Sequence, residues 1–417
     1  MSQTFLRGIC HLDADCFYAS VETIFQPIKR GKPFAVISHV GGIVLSASYE
    51  ARKFKIKTGM PTWEATAHCP AITFEPVNFP RYIIYSKAMM DILRTFTPDV
   101  EEYSIDEAFF DLTSVQQYHG CSYEQIARNI QKKIKDELNL PVSIGVSMNK
   151  TLAKLCSDYN KPMGITIVAE EDRDEFLGKV QLDDVAGIGR HNHERLQGNR
   201  IATLHEFIRT PTSRIKKILG INGVRLQLEL RGIPSLGLQM ERKKPKSISR
   251  SRTFAKLTTS FDFLFAELIR HLEDVTMKLR EHHLAAKRIG IFLRMQENYR
   301  TVGTVMTLEN FTDDTIILVQ QINTMLKELY CTKTSYRSTG VYLTELRDVY
   351  SVSADMFSKL KDEERHQLNA AIDDINKRFG KKTISIGAAT LLHPKKEREE
   401  EDDVDVEISY VNRFMAF

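Results

Sequence analysis

Residues 103–112, YSIDEAFFDL, read as a strand, with the adjacent acids Asp106 and Glu107 set among apolar residues. Two negative charges inside such a run are unfavourable unless something pairs with them. A second acid set stands near the N-terminus. There HLDADCFYASVE places Asp13 and Asp15 at the end of another strand-like stretch, 5–13. If the two strands are neighbours in one sheet, Asp13, Asp106 and Glu107 converge. Like charges at close range drive protons back on, and a divalent cation removes both penalties. Hard oxygen donors select Mg²⁺ or Mn²⁺, and no His/Cys set for zinc accompanies them. Two ions ~3.5–4 Å apart form the clamp used in phosphoryl transfer. Asp15 shares a strand face with Asp13; as a short acid before FYASVE it is read as a helix N-cap rather than as a ligand.

The 417 residues leave room for several domains around these acids. Hydrophobic content of 42% and charged content of 27% describe an ordinary soluble globular chain. No apolar run approaches the ~20 residues of a membrane span, and the N-terminus lacks the features of a secretory signal. Six dispersed cysteines without a C-x-x-C pair suit reduced packing residues in a cytoplasmic protein. The net charge of +4 conceals an uneven distribution. Residues 241–254, ERKKPKSISRSRTF, carry six bases against one acid, and residues 397–407 carry eight acids against one base. A basic middle suits a polyanion-binding body; the acidic tail is read as a solvated segment.

Helix and strand alternate through about residue 168, an α/β pattern. Helical spacing in FYASVETIF is followed by the strand-like runs FAVISH and GGIVLSAS and by a short basic helix opening YEARKFKIKTGMP. Further helices are expected at 80–96 and 122–138, then the strand PVSIGVSM. From 170 to 235 short helices are broken by glycine. Residues 248–347 alternate as strand, helix, two strands, helix and strand, which reads as a β-α-β-β-α-β domain. Beyond lie an amphipathic helix at 361–378 and a short strand, KTISIG.

Five segments occur in a fixed order: DADCFYASVE, SASYEARKFKIKTGMP, YSIDEAFFDL, GVSMNKTLAKLCSDYNKP and VAGIGRHNHERL. Together they closely resemble the bacterial Y-family DNA polymerases, the error-prone translesion enzymes, over about residues 5–347. The resemblance implies a multidomain α/β right-hand fold. Its palm would be 1–16 and 78–168, its fingers 17–77 and its helix-hairpin-helix thumb 169–235. A basic linker at 236–245, a little finger at 246–347 and a C-terminal extension at 348–417 would follow. The implied reaction is addition of a dNTP to a primer 3′-hydroxyl on template DNA, at low fidelity and without proofreading.

The resemblance further implies that Asp13, Asp106 and Glu107 hold two Mg²⁺, or Mn²⁺ in its place, with the Ala14 carbonyl as an added ligand. Tyr18 matches the steric gate that rejects a 2′-hydroxyl. Tyr49, Arg52 and Lys161 match triphosphate ligands, joined by the Phe17 and Tyr18 amides and the Ser46 hydroxyl. Tyr49 and Arg52, three apart, share a helix face. Gly187 and Gly189 would bring amides to a DNA phosphate, and ILGINGVR at 218–225 is a poorer second copy of that hairpin. Lys243, Lys244, Lys246, Arg250 and Arg252 would track the DNA backbone. Two departures stand out. Leu45 occupies a roof position where lesion-tolerant relatives have small residues, which puts accommodation of bulky adducts in question. SADMF at 353–357 keeps only Met356 and Phe357 of a sliding-clamp peptide, so weak clamp docking is expected. The chain is expected to be a monomer. Two other readings compete: a palm-type nucleotidyl cyclase, which would need no thumb or little finger, and a catalytically silent DNA or clamp adaptor, which would not need the three acids.

Overall fold

The computed structural model describes residues 7–38, 42–241, 243–349, 359–380 and 382–390. Met356 and Phe357 lie outside the described residues. The chain divides into two compact units, one ending at Arg242 and the other beginning at Lys243.

In the first unit the elements run β1 (Ile9–Ala14), α1 (Phe17–Phe25), β2 (Phe34–Ile37), β3 (Val44–Ala47), α2 (Tyr49–Arg52), α3 (Thr62–His68), β4 (Thr73–Pro76) and α4 (Phe79–Arg94). They continue as β5 (Val100–Glu102), β6 (Glu107–Asp111), α5 (Gln116–His119), α6 (Tyr123–Leu138), β7 (Val142–Ser147), α7 (Lys150–Tyr159) and β8 (Ile165–Ile167). Five strands form a sheet in the order β5-β6-β1-β7-β8, with β1 antiparallel to both neighbours. All six residues of β1, ICHLDA, are buried, so both of its faces are covered. Side chains alternate along the strand. Cys10, Leu12 and Ala14 join Phe110, Met89, Met90, Ile126 and Ile130 in the main apolar core, whereas His11 and Asp13 face α7. Asn149 caps α7 by accepting from the Leu152 amide at 3.0 Å.

The opening stretch is not strand throughout. Its strand begins at Glu107, and the amides of Tyr103 and Ser104 both donate to the Glu107 carbonyl, at 3.1 and 3.0 Å. Asp106 therefore sits in the turn between β5 and β6. A small sheet, β3-β2-β4, has its own core of Ala35, Val44, Ala47, Ala51 and Ala65. The buried residues of α1, by contrast, pack into the main core. Helices α8 (Arg173–Leu177), α9 (Arg190–Gly198), α10 (Leu204–Arg209) and α11 (Thr212–Leu230) share a third core with Leu152, Leu155 and Cys156 of α7. Gly187 has φ of 97° and Gly220 has φ of 71°, the latter breaking α11 in two. Both are left-handed positions that favour glycine.

The second unit contains β9 (Ser247–Thr258), α12 (Phe261–Glu281), β10 (Leu284–Met295), β11 (Thr301–Thr312), α13 (Thr315–Leu329), β12 (Tyr336–Asp348), α14 (Lys359–Phe379) and α15 (Gly387–Thr390). Its antiparallel sheet has the order β11-β10-β12-β9, the expected β-α-β-β-α-β arrangement. Beyond it, the expected strand KTISIG is absent. The Asn376 side chain takes the Ile384 amide at 2.8 Å and donates to the Ile384 carbonyl at 3.0 Å. The Ile386 amide goes to Glu273 at 2.6 Å. Side chains thus satisfy backbone groups that a neighbouring strand would have paired. The extension also docks through Arg280, whose guanidinium meets Asp373 at 2.6 and 2.9 Å.

That pair is largely removed from water, at 9% and 14% side-chain exposure. Asp373→Ala strands the Arg280 charge and should destabilise the second unit by roughly 3 kcal/mol, read as a lower urea midpoint for its unfolding. An unchanged midpoint would show that the extension contributes nothing through this pair.

Candidate active site

The backbone register sets Asp13 directly opposite Glu107, and the Ala14 amide donates to the Asp106 carbonyl at 2.9 Å. Strand pairing alone therefore brings the three acids to one edge of the sheet. Helix α7 covers that edge. Lys161, just past its end, lies 2.7 Å from Asp13 Oδ1 and 2.7 Å from Asp158. Lys154 lies 2.9 Å from Glu107 Oε2. One turn earlier, Lys150 grips both oxygens of Glu101, at 2.8 and 2.7 Å. The spacing of Lys150, Lys154 and Asp158 puts these three on one face of α7, and Lys161 follows just past its end.

The electrostatics follow from this crowding. Burial, then Asp13 and Glu107, push the Asp106 carboxyl up to about 7. Burial raises Asp13 too, with Lys161 opposing and Glu107 adding. For Lys161, burial works downward, but Asp13 and Asp158 outweigh it and raise the net value. Burial, with Lys154 next to it, holds His11 well below the usual histidine range, so the ring is neutral.

The acids divide by how their oxygens are used. Asp15 has both oxygens taken: Ser143 donates at 2.9 and 3.0 Å, the Met163 amide at 2.8 Å and the Tyr49 hydroxyl at 3.2 Å. It is not the helix cap that its position suggested. Cys16 occupies the cap with φ of 47° and no side-chain capping bond. Glu101 is likewise saturated. In contrast, Asp13 Oδ2, Asp106 Oδ2 and Glu107 Oε1 have no partner among the described residues; Asp106 Oδ1 takes the Ser104 hydroxyl. Three carboxylates that each keep one oxygen suit a hard cation. Among the described residues no three acid, histidine or cysteine side chains are already gathered around one point as ligands. The lysines hold Asp13 and Glu107 instead.

The residues expected to meet the nucleotide lie on the neighbouring elements. Arg52 sits over the Tyr49 ring at 5.2 Å and donates to the Ala47 carbonyl at 3.2 Å. Ser46 is buried and accepts from the Ala19 amide at 3.4 Å. The Phe17 and Tyr18 amides, at the start of α1, have no acceptor among the described residues. Tyr18 stacks on Tyr82 at 4.4 Å and 16° and meets Phe79 edge-on at 6.1 Å. Burial and then Asp106 raise its hydroxyl. Tyr82 is itself locked, donating at 2.9 Å to Glu22, which takes Arg81 at 2.7 Å. This brace and the α7 lysines Lys150 and Lys154 were missed in sequence, although the lysine spacing in KTLAKLCSDYNK was visible. Leu45 is half-buried against the main core.

The basic set separates in the same way. Gly187 is exposed and left-handed; Gly189 is an extended N-cap to α9 and needs no such freedom. Lys243 and Lys246 are exposed, and Lys244 pairs with Asp348. Arg252 is half-buried on β9. Arg250 corrects the expectation. It is buried on the helix-facing side of β9 and pairs with Asp274 at 3.3 Å, so strand alternation takes it out of the surface set.

The sequence matches the impB/mucB/samB family profile over residues 12–158 and that family's C-terminal domain over 245–356. It is 35% identical over 395 residues to DNA polymerase IV 1 of Bacillus subtilis strain 168, spanning 92% of this chain and 93% of that one. It is 34% identical over 398 residues to DNA polymerase IV of Bacillus velezensis, spanning 94% and 95%. A solved Y-family DNA polymerase chimera superposes with a TM-score of 0.70 at 26% identity, covering 81% of this chain and 98% of the other.

The height of α7 over the acids depends on Gly145, which pairs with His11 across β7 and β1. A Cβ there would stand 2.1 Å from the Ala153 carbonyl and 2.3 Å from the Ser157 amide. Gly145→Ala should cost about 3 kcal/mol of stability in a urea titration of the first unit. Full retention of stability would mean that α7 is not held at this distance.

Proposed function

We propose that this chain, which belongs to the impB/mucB/samB family of bacterial Y-family DNA polymerases, extends primed DNA on a template by two-metal phosphoryl transfer. The reaction joins the primer 3′-oxygen to the α-phosphorus of a dNTP and releases pyrophosphate. The observation that carries the residue assignment is the set of three adjacent acids, Asp13, Asp106 and Glu107, each with one oxygen left unpaired beside saturated neighbours. These three, with the Ala14 carbonyl, would hold two Mg²⁺. When bound, Mg²⁺ (Mn²⁺ would serve) eases deprotonation of the primer hydroxyl and offsets charge gathering on the triphosphate.

The chain's own groups do the rest. The unpaired Phe17 and Tyr18 amides point to a triphosphate at the start of α1. Arg52 offers a forked donor, and the Tyr49 hydroxyl, which donates to Asp15 here, would turn its one proton from that carboxylate to a phosphate oxygen. Lys161 is poised between Asp13 and Asp158 to exchange a carboxylate for a phosphate oxygen. Tyr18, stiffened by the Tyr82–Glu22–Arg81 brace, fills the space that a 2′-hydroxyl would need. The main sheet then acts as palm, the small sheet with α2 and α3 as fingers, α8–α11 as thumb and the second unit as little finger. Gly187, Lys243 and Lys246 are left to meet the DNA backbone without reading its sequence.

Primer extension with Mg²⁺ tests this directly. Asp106→Ala should lower kcat by ~10³-fold or more, and extension at the wild-type rate would remove the metal assignment. Tyr18→Ala should raise ribonucleotide incorporation by ~100-fold relative to dNTP. Unaltered sugar selectivity would take Tyr18 out of the gate.

A further inference from the structure

We propose that Lys154 is a positioning residue: it commits one oxygen of Glu107 to the protein, leaves the other for the catalytic cation, and thereby sets how tightly that cation is held. This rests on the two-metal reading above. The Lys154 ammonium lies 2.9 Å from Glu107 Oε2, with both side chains mostly out of water. On another side of the same oxygen is His11 Nε2, 3.6 Å away. Ser157 Oγ lies 2.8 Å from the Lys154 carbonyl and 2.7 Å from His11 Nδ1, so that side of the ring is already engaged. His11 Nε2 is fully buried and has no hydrogen-bond partner.

His11 makes no hydrogen bond to Oε2. Among the described residues Lys154 is the one that anchors it, and the Tyr103 ring, 5.8 Å from the ammonium, lies beside that cation. Oε1 is left outward without a partner among the described residues. The contrast with Lys150 is instructive, because the same helix there takes both oxygens of Glu101 and leaves none over. Lys154 thus does two opposed things. It fixes the orientation of a ligand, and it places a positive charge beside the cation that the ligand is to receive.

The opposition gives a signature that a purely structural lysine lacks. The full-length chain is bound to a primer–template with a 3′-dideoxy end and the matching dNTP. Mn²⁺ is then titrated and read by electron paramagnetic resonance, with kcat and dNTP KM measured separately on an extendable primer. Lys154→Gln should bind Mn²⁺ ~tenfold more tightly, because a like charge a few ångströms away is gone. Its kcat should fall by a similar factor as Glu107 loses its alignment, while dNTP KM moves less than ~twofold. Lys154→Arg keeps the charge and should restore both quantities to near the wild-type values. Glu101→Gln, which disturbs the same helix through Lys150, should lower stability and leave Mn²⁺ affinity alone. Unchanged or weaker Mn²⁺ binding in Lys154→Gln overturns the proposal. So does an Arg variant that departs from wild type as far as Gln does, which remains readable should the Gln variant unfold. Failure of the underlying reading looks different: wild type would then show no Mn²⁺ binding that Asp106→Ala abolishes, whatever Lys154 does.

Discussion

The antiparallel pairing of β1 with β6 sets Asp13 against Glu107 inside a covered sheet. Like charges held across a strand pair repel one another, and Asp106 beside them adds to the crowding. The surroundings answer that repulsion. Alternation along β1 keeps Cys10, Leu12 and Ala14 on the side of α4 and α6, so Asp13 falls on the side of α7. Lys150 and Lys154 on α7, and Lys161 just past its end, meet Glu101, Glu107 and Asp13 in turn, while Asp106 takes the Ser104 hydroxyl.

That answer is deliberately incomplete in one place. Glu101 and Asp15 are saturated by lysine, hydroxyl and amide partners, and are structural. Asp13, Asp106 and Glu107 are each satisfied on one oxygen only. The distance of closest approach between α7 and the sheet makes this division possible. Gly145 lets the helix backbone rest on β7, and His11 and Ser157 fill the remaining space beside it. On the other flank, Tyr18 is held by stacking rather than by a polar bond to the acids, which keeps its ring fixed next to a charged edge.

Much of this was legible in the sequence. FYASVETIF is α1 to the residue, and the β-α-β-β-α-β order of the second unit follows from its alternating periodicity. The acids were legible because a charge pair in an apolar run demands an explanation. What escaped was what local pattern does not encode. Asp106 leaves the strand because two amides converge on the Glu107 carbonyl, a tertiary choice that no propensity signals. Asp15 looked like a cap because its donors, Ser143 and Met163, are far along the chain. Arg250 looked like a surface base because nothing in SRSRTF announces that Asp274 waits across the helix interface. KTISIG reads as a strand until Asn376 and Glu273 are seen to take its amides.

The central claim is that three acids, two on paired strands and one in the turn before β6, share their free oxygens with the same divalent cations. A crystal structure of the chain with a dideoxy-terminated primer–template, the matching dNTP and Mn²⁺, phased on the manganese anomalous signal, tests it most directly. The account places manganese at ~2.2 Å from one oxygen each of Asp13, Asp106 and Glu107. Manganese bound by the triphosphate alone, with any of the three carboxylates still turned to its lysine or hydroxyl partner and away from the ion, would contradict it.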